Sequence, residues 1–494
     1  DFVDDFYAFV EDVDPYKLFP LQPRHVLGFL LASMGLTLAA GGGIGGGGMV
    51  VPIYMLVLQL PPKHAIPLGC ISVFGAALAS TSINATKRHP YVDRPLIDWN
   101  LILVMEPVIL LGALMGALLH RILRDAVLVV MLLVLLSVVA FSILRKARQI
   151  HRAETKFIYK LKHRSIEKTA TTEEANKAMG FAYFSAEEHV EASPTKISQS
   201  HTIKLELSPS LDVTESVSPP HANSDDSETT KDRILIINPN FRTLKVNLEA
   251  AERVTPLNKV FGLIAMFVVV VCLNIMVGGG AFQSPWGIHC GGVAFWVVHV
   301  IMASFLLAAA WVSHTYMTSK HQLRELLNLE YADGDIKFDK RGGILYPAIF
   351  FTSGVFAGLF GIGGGVIVVP VLLHLGVHPA VATATSSCMI VMTTFASLTS
   401  FSVFGLVFWD YAVTLFVIGF CASFFGIVVM AEARKVKKLN GRNFERVSYI
   451  YFSIGGVVLI SAVLMTVQYV FMIVSVDESV DEGGLCEGYQ RANV

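Results

Sequence analysis

The chain has 494 residues, of which 53% are hydrophobic and only 16% charged, with a mean hydropathy of +0.58. A soluble domain carries about 25% charged residues, so the composition excludes an ordinary soluble globular protein and points to a polytopic membrane protein. The formal net charge of −1 excludes no partner, because the charges are sorted by segment. Cys70, Cys272, Cys388 and Cys421 lie in apolar runs and read as small hydrophobes, while Cys290 and Cys486 lie in polar flanks. No CxxC or Cys/His spacing suggests a metal. A start at Asp1 rather than Met suggests a removed signal peptide or a trimmed N-terminus.

In chain order, apolar stretches occupy 24–40, 49–60, 64–86, 97–122 and 124–143, then 257–277 and 291–316, then 344–360, 365–376, 380–404, 408–433 and 446–473. Most reach the ~20 residues that a spanning helix needs. Segments 49–60 and 365–376 do not, and at ~1.5 Å per residue they cover only part of a ~30 Å hydrocarbon core. The expected fold is an all-α polytopic membrane protein with about 12 membrane segments, two of them short half-helices.

The third group of segments repeats the first. Gly43-Ile-Gly-Gly-Gly-Gly-Met-Val-Val-Pro52 and Gly361-Ile-Gly-Gly-Gly-Val-Ile-Val-Val-Pro370 are near copies at an offset of 318, which also pairs Pro61 with Pro379, Cys70 with Cys388 and Val73 with Val391. An offset of 312 pairs Asp98-Trp99 with Asp410-Tyr411. Two copies of an interrupted apolar pattern are how many secondary transporters look in sequence.

Lys and Arg placement orients the segments, because positive loops stay cytoplasmic. Lys87, Arg88 and Arg94 put 87–96 inside; Arg145, Lys146, Arg148 and Arg152 do so for the central linker. Lys320, Arg324, Lys340 and Arg341 place 317–343 inside, as Arg434, Lys435, Lys437 and Lys438 do for 434–445. Loops 278–290 and 405–407 hold no Lys or Arg and belong outside, with the tail after 475. Residues 343 and 434 then share one side, so 344–360 with 365–376 must enter and return as a glycine-broken helical hairpin. The same reasoning returns 24–60 to the outside, and the two repeats are expected to be inverted.

The expected organisation is an extracytoplasmic tail (1–23), membrane repeat 1 (24–146), a cytoplasmic linker (147–256), two connecting helices (257–316), a cytoplasmic loop (317–343), repeat 2 (344–473) and an extracytoplasmic tail (474–494). Residues 170–232 are rich in Ser, Thr and Glu, a composition that buries too little to fold alone. The linker therefore reads as largely disordered, with a regulatory or small folded element as the other reading.

The candidate site lies at the glycine breaks. Gly43, Gly45, Gly46 and Gly47, and Gly361, Gly363, Gly364 and Gly365, expose N–H groups where the next helix begins, a ready anion site without a buried cation. The other reading gives these glycines a packing and turn role only. The spacing Gly43-x-Gly-x-x-Gly48 matches a dinucleotide fingerprint formally, but apolar helical segments flank it and no ribose-binding acid follows. Hydroxyls crowd the helix after each break: Thr385, Ser386 and Ser387 in the second copy, Ser72 in the first. They are suited to oxyanion contacts or, equally, to helix-to-helix hydrogen bonds. Glu106 is the one carboxylate deep in a strongly apolar run, which makes it a candidate proton carrier; the other reading has it capping backbone groups freed by Pro107. His299 with His314, and His374 with His378, read as polar packing residues.

The twin Gly-Ile-Gly-Gly-Gly…Val-Pro blocks, with Ser/Thr following the second, resemble the TauE/SafE sulfite-exporter family. The stretch Leu96-Ile-Asp-Trp-Asn…Glu106-Pro…Leu-Gly112 is similar to its eukaryotic branch, and the resemblance covers about 25–145 and 257–473. It implies a secondary transporter of small sulfur-containing anions such as sulfite or sulfonates, commonly thought to be proton-linked or gradient-driven. Two departures stand out: Ile66-Pro67-Leu68 replaces the counterpart of Ala384-Thr385-Ser386, and Gly48 stands where repeat 2 has Val366. The expected partners are a small anion, protons as coupling ion and the lipid bilayer, with a homo-oligomer compatible; no nucleic acid, metal or cofactor is expected. An anion channel, a membrane-embedded enzyme and a receptor or scaffold are the rival classes. The enzyme is disfavoured because no intramembrane Ser–His pair or His-rich cluster stands at helical spacing.

Overall fold

A computed structural model describes residues 18, 21–40, 45–89, 92–186, 252–279, 284–289, 291–327, 342–433 and 448–474, with isolated positions at 243, 245, 248, 250 and 281. Gly43, nearly all of both tails, residues 187–242 of the linker and the basic loop 434–445 lie outside them. Contacts divide the chain into two compact units, Asp1–His151 with Asn240–Val494, and Arg152–Pro239. Of the second, residues 152–186 are helical; the first carries everything that follows.

Among the described residues the architecture is all-helical, with twelve helices and, outside them, an isolated bridge between Arg88 and Pro95. They are α1 (Pro23–Ala40), α2 (Gly47–Leu56), α3 (Pro62–Ala85), α4 (Trp99–Ile122), α5 (Asp125–Ala186), α6 (Leu257–Val277), α7 (Val293–Leu326), α8 (Gly342–Phe360), α9 (Gly365–His374), α10 (Pro379–Val403), α11 (Trp409–Ala433) and α12 (Ser448–Val474). Eight are long and apolar enough to cross a bilayer; the apolar parts of α2, α8, α9 and α12 are shorter.

Local chemistry sets most of the boundaries. Pro62 and Pro379 occupy first-turn positions, where a missing N–H costs nothing. Asp98 caps α4 by accepting from the N–H groups of Asn100 and Leu101 at 3.0 and 3.2 Å. Two helices overrun the apolar segments expected for them. α5 continues beyond 143 and α7 beyond 316, because the charged residues that follow are good helix formers and no Pro interrupts them there.

At the centre, α3 and α10 cross in opposite directions. Ser80 Oγ meets Ser387 Oγ at 2.9 Å near the end of α3 and the start of α10, while Cys70 Sγ donates to the Thr394 carbonyl at 3.4 Å. Around this pair, α4 lies against α8 and α11 against α1, in both cases through small residues. A Cβ on Gly116 would fall 2.2 Å from the Val355 carbonyl oxygen, and one on Gly358 1.9 Å from that of Ala113. Such backbone-to-backbone approach is what holds helices together in lipid, where burying apolar surface drives little. α6 and α7 lie at the periphery and turn Phe261, Val300 and Trp311 outward. Asn274 ties α6 to α10 by donating to Thr399 Oγ1 and Ser400 Oγ, both at 2.8 Å.

Candidate functional site at the two glycine breaks

The chain turns back on itself at the first break. Gly28 of α1 packs against Leu58 and Gly35 against Met49, so α1 and α2 are antiparallel. Gly45 and Gly46, with φ of 72° and 75°, enter α2 through the left-handed region; Gly363 and Gly364, with φ of 72° and 68°, enter α9 the same way. A residue with a Cβ would lose roughly 1–2 kcal/mol at each such position. Thus Gly45-Gly46 and Gly363-Gly364 share one backbone conformation.

The breaks also touch each other. A Cβ on Gly47 would lie 2.5 Å from Ile362 Cα and 2.9 Å from Val73 Cγ2. Gly45 and Gly363 both face Val73 of α3 and Ile390 of α10, and Gly361 abuts the Ile66 carbonyl. Gly364 and Gly365 form the start of α9, where Ser353 Oγ donates to the Gly364 carbonyl at 3.3 Å. In this conformation the glycines meet backbone and apolar side chains, so their packing role is visible directly.

The hydroxyls separate by partner. Ser72 Oγ donates to the Leu68 carbonyl at 3.2 Å and takes a 2.7 Å bond from the Tyr54 hydroxyl. Ser387 Oγ donates to the Thr383 carbonyl at 2.8 Å and accepts from Ser80. Thr385 Oγ1 accepts from the Asp98 N–H at 3.0 Å, joining the start of α4 to α10. Ser386 alone of the four has no partner for its buried hydroxyl among the described residues. Thr385→Val should therefore leave the Asp98 N–H unmet and lower stability by about 1–3 kcal/mol. A thermal midpoint that falls for Thr385→Val and holds for Thr385→Ser checks this.

Glu106 of α4 is 0% exposed, and among the described residues neither carboxyl oxygen has a hydrogen-bond partner. It caps none of the backbone groups that Pro107 frees. Glu106 and the Thr385–Cys388 turn belong to α4 and α10, which pack against each other, while Ser72 sits against Tyr54 and α11.

Sequence reading passed over three buried groups. Tyr54 holds Ser72; His120 contacts the carbonyls of Leu359 at 2.9 Å and Lys63 at 3.4 Å; Arg121 lies 4.9 Å from the Phe404 ring centre. The two at the end of α4 could have been found from their place at the boundary of an apolar run. No group of three or more His, Cys, Asp or Glu side chains placed to hold a metal occurs among the described residues.

A chain whose helices fold around two facing glycine breaks, eight of them long and apolar enough to cross a bilayer, is an integral multi-pass membrane protein. The family model described as sulfite exporter TauE/SafE matches residues 27–183 and 262–459, well over half of the sequence, and the chain belongs to that family of membrane transporters. It is 24% identical over 447 residues to sulfite exporter TauE/SafE family protein 5 of Arabidopsis thaliana, covering 90% of this chain and 83% of that one. Against family protein 3 of the same plant it is 24% identical over 441 residues, covering 89% and 77%. Family protein 6 matches at 32% over 148 residues, 30% of this chain and 32% of that one. No solved structure matches.

Proposed function

We propose that this chain is a secondary active transporter of small sulfur-containing anions, such as sulfite and sulfonates, coupled to protons through Glu106. The observation that carries the coupling is a fully buried carboxyl with two unpartnered oxygens at a helix contact. An intramembrane acid is expensive to keep, and one without a structural partner is a functional group by default. The family supplies the transporter class, and the sulfite of its name supplies the anion.

The two halves are read as inverted repeats working by alternating access. The antiparallel α3–α10 crossing supports this: helices aligned in sequence by the 318 offset run in opposite directions past Val73 and its counterpart Val391. A second support is that the α4–α8 contact has its counterpart in α11–α1, where Thr37 Oγ1 donates to the Ala422 carbonyl at 3.2 Å and Gly426 abuts Thr37. Anion binding is assigned to the break glycines with Thr385, Ser386, Ser387 and Ser72, exposed when the halves rock apart. The two copies differ in their hydroxyls, since Ile66-Pro67-Leu68 stands at the positions aligned with Ala384-Thr385-Ser386.

Both termini are placed outside. In support, Arg94 and Lys320 line one cavity at one end, while Ala281 N–H bonds the Val403 carbonyl at 3.1 Å at the other end of α10. The sequon Asn84-Ala-Thr86 then faces the cytoplasm. Treatment of the protein from a eukaryotic host with a glycosidase should leave its mass unchanged, and a glycan on Asn84 would reverse the orientation.

Uptake of labelled sulfite, sulfate, taurine and a carboxylate into proteoliposomes, with and without an imposed pH gradient, tests the whole reading. Saturable sulfur-anion flux that follows the proton gradient is expected. Flux indifferent to the gradient removes Glu106 from the mechanism and makes the protein a channel or uniporter.

A further inference from the structure

Away from the glycine breaks, a cavity of about 190 Å³ opens where the starts of α4, α6 and α10 meet the far end of α7. Three cationic side chains line it, those of Arg94, Lys259 and Lys320, with the carboxylates of Asp98 and Glu252 and the ring of Tyr316. Both carboxylates are committed. Asp98 Oδ1 accepts from two N–H groups of α4, and Glu252 Oε1 takes Lys320 and Arg324 together, each at 3.0 Å.

Lys259 is the group left over. Half-buried on the first turn of α6, it donates to Asn100 Oδ1 and stands 5.5 Å from the Tyr316 ring centre, and it forms no ion pair with a carboxylate among the described residues. A half-buried cation at an apolar boundary is stabilised by an added anion. Glu252, facing two cations, leaves the local charge positive. The first turns of α4, α6 and α10 all border the cavity, and the partial positive charge at helix starts adds to the same field. The space is below the 300–1,000 Å³ of pockets for drug-sized ligands, which favours a compact charged group over a large organic one.

We propose that this cavity is a second anion site, separate from the glycine breaks, that takes a compact oxyanion group: sulfate, sulfonate or phosphate. The group is carried either by a free solute or by a lipid headgroup, since basic pockets between helix ends also receive phosphorylated lipids. The proposal stands apart from the transport reading, because binding here requires no flux.

The test uses the full chain in nanodiscs and follows acylation of individual lysines by peptide mass spectrometry. One arm adds sulfate or inorganic phosphate to discs of neutral phosphatidylcholine, with chloride at equal ionic strength as reference. A second arm replaces part of the lipid by phosphatidylinositol 4-phosphate with no added oxyanion. Occupancy at ten times Kd should slow modification of Lys259 by about tenfold, while exposed Lys87, on the neighbouring 87–96 loop, is unaffected. Protection in the first arm identifies a soluble oxyanion, and protection in the second alone identifies a lipid headgroup. Equal Lys259 rates in every arm, or slowing of Lys87 to the same extent, would overturn the site.

Discussion

Glu106→Gln should reduce gradient-driven anion flux to the level measured without a proton gradient, while the protein still folds and inserts. The carboxyl is buried on α4, and among the described residues neither oxygen is bonded. Glutamine keeps the shape and exchanges one unpartnered polar group for another, so stability should shift by less than about 1 kcal/mol. Glu106→Leu separates a functional acid from a structural one. Removing a buried polar group with no partner should stabilise the fold by about 1–3 kcal/mol, seen as a higher thermal midpoint, while proton-driven flux is lost. An acid serving the backbone at Pro107 predicts the reverse, with an earlier melt. Retention of full gradient-driven flux by Glu106→Gln would exclude this residue as the carrier.

Gly47→Ala is expected to be a damaging single-methyl change where the two breaks touch. The added Cβ would meet Ile362 Cα at 2.5 Å, and backbone cannot swing aside as the end of a side chain can. Forcing the two breaks apart should cost about 1–3 kcal/mol, the usual range for overpacking, and should lower both the thermal midpoint and transport. Gly262→Ala is the matching control. It lies inside α6 with nothing within 4 Å of its would-be Cβ, so helix propensity predicts a neutral change or a gain of up to about 1 kcal/mol. Similar behaviour of the two variants would mean that the break-to-break contact does not hold the halves together.

The twelve helices were legible because their signals are local. Apolar run length, Pro62 and Pro379 at first turns, Asp98 as a cap and Gly405 after α10 each act within a few residues. The twin glycine blocks were legible for the same reason: left-handed entry into α2 and α9 requires glycine wherever it occurs. Where the apolar runs end, the signal weakens, and α5 and α7 extend past those runs because a charged helix carries no hydropathy mark.

The site was legible only in part. In sequence, Ser72, Thr385, Ser386 and Ser387 are four equivalent hydroxyls after glycine breaks. Folding spends three of them on Tyr54, on the Asp98 N–H and on Ser80, and leaves Ser386 free. Glu106 was conspicuous from its apolar surroundings, yet its lack of any backbone partner depends on where α4 and α10 meet. The basic cavity left no motif at all, since Arg94, Glu252, Lys259, Lys320 and Val381 come from distant stretches. By itself, then, the sequence determined membrane class, helix placement, the glycine breaks and the position of Glu106 within an apolar run, because hydropathy, capping and backbone conformation are properties of short segments. The tertiary structure decided which glycines touch, which hydroxyls stay free and where cations gather, because each of those depends on contacts between residues far apart in the chain.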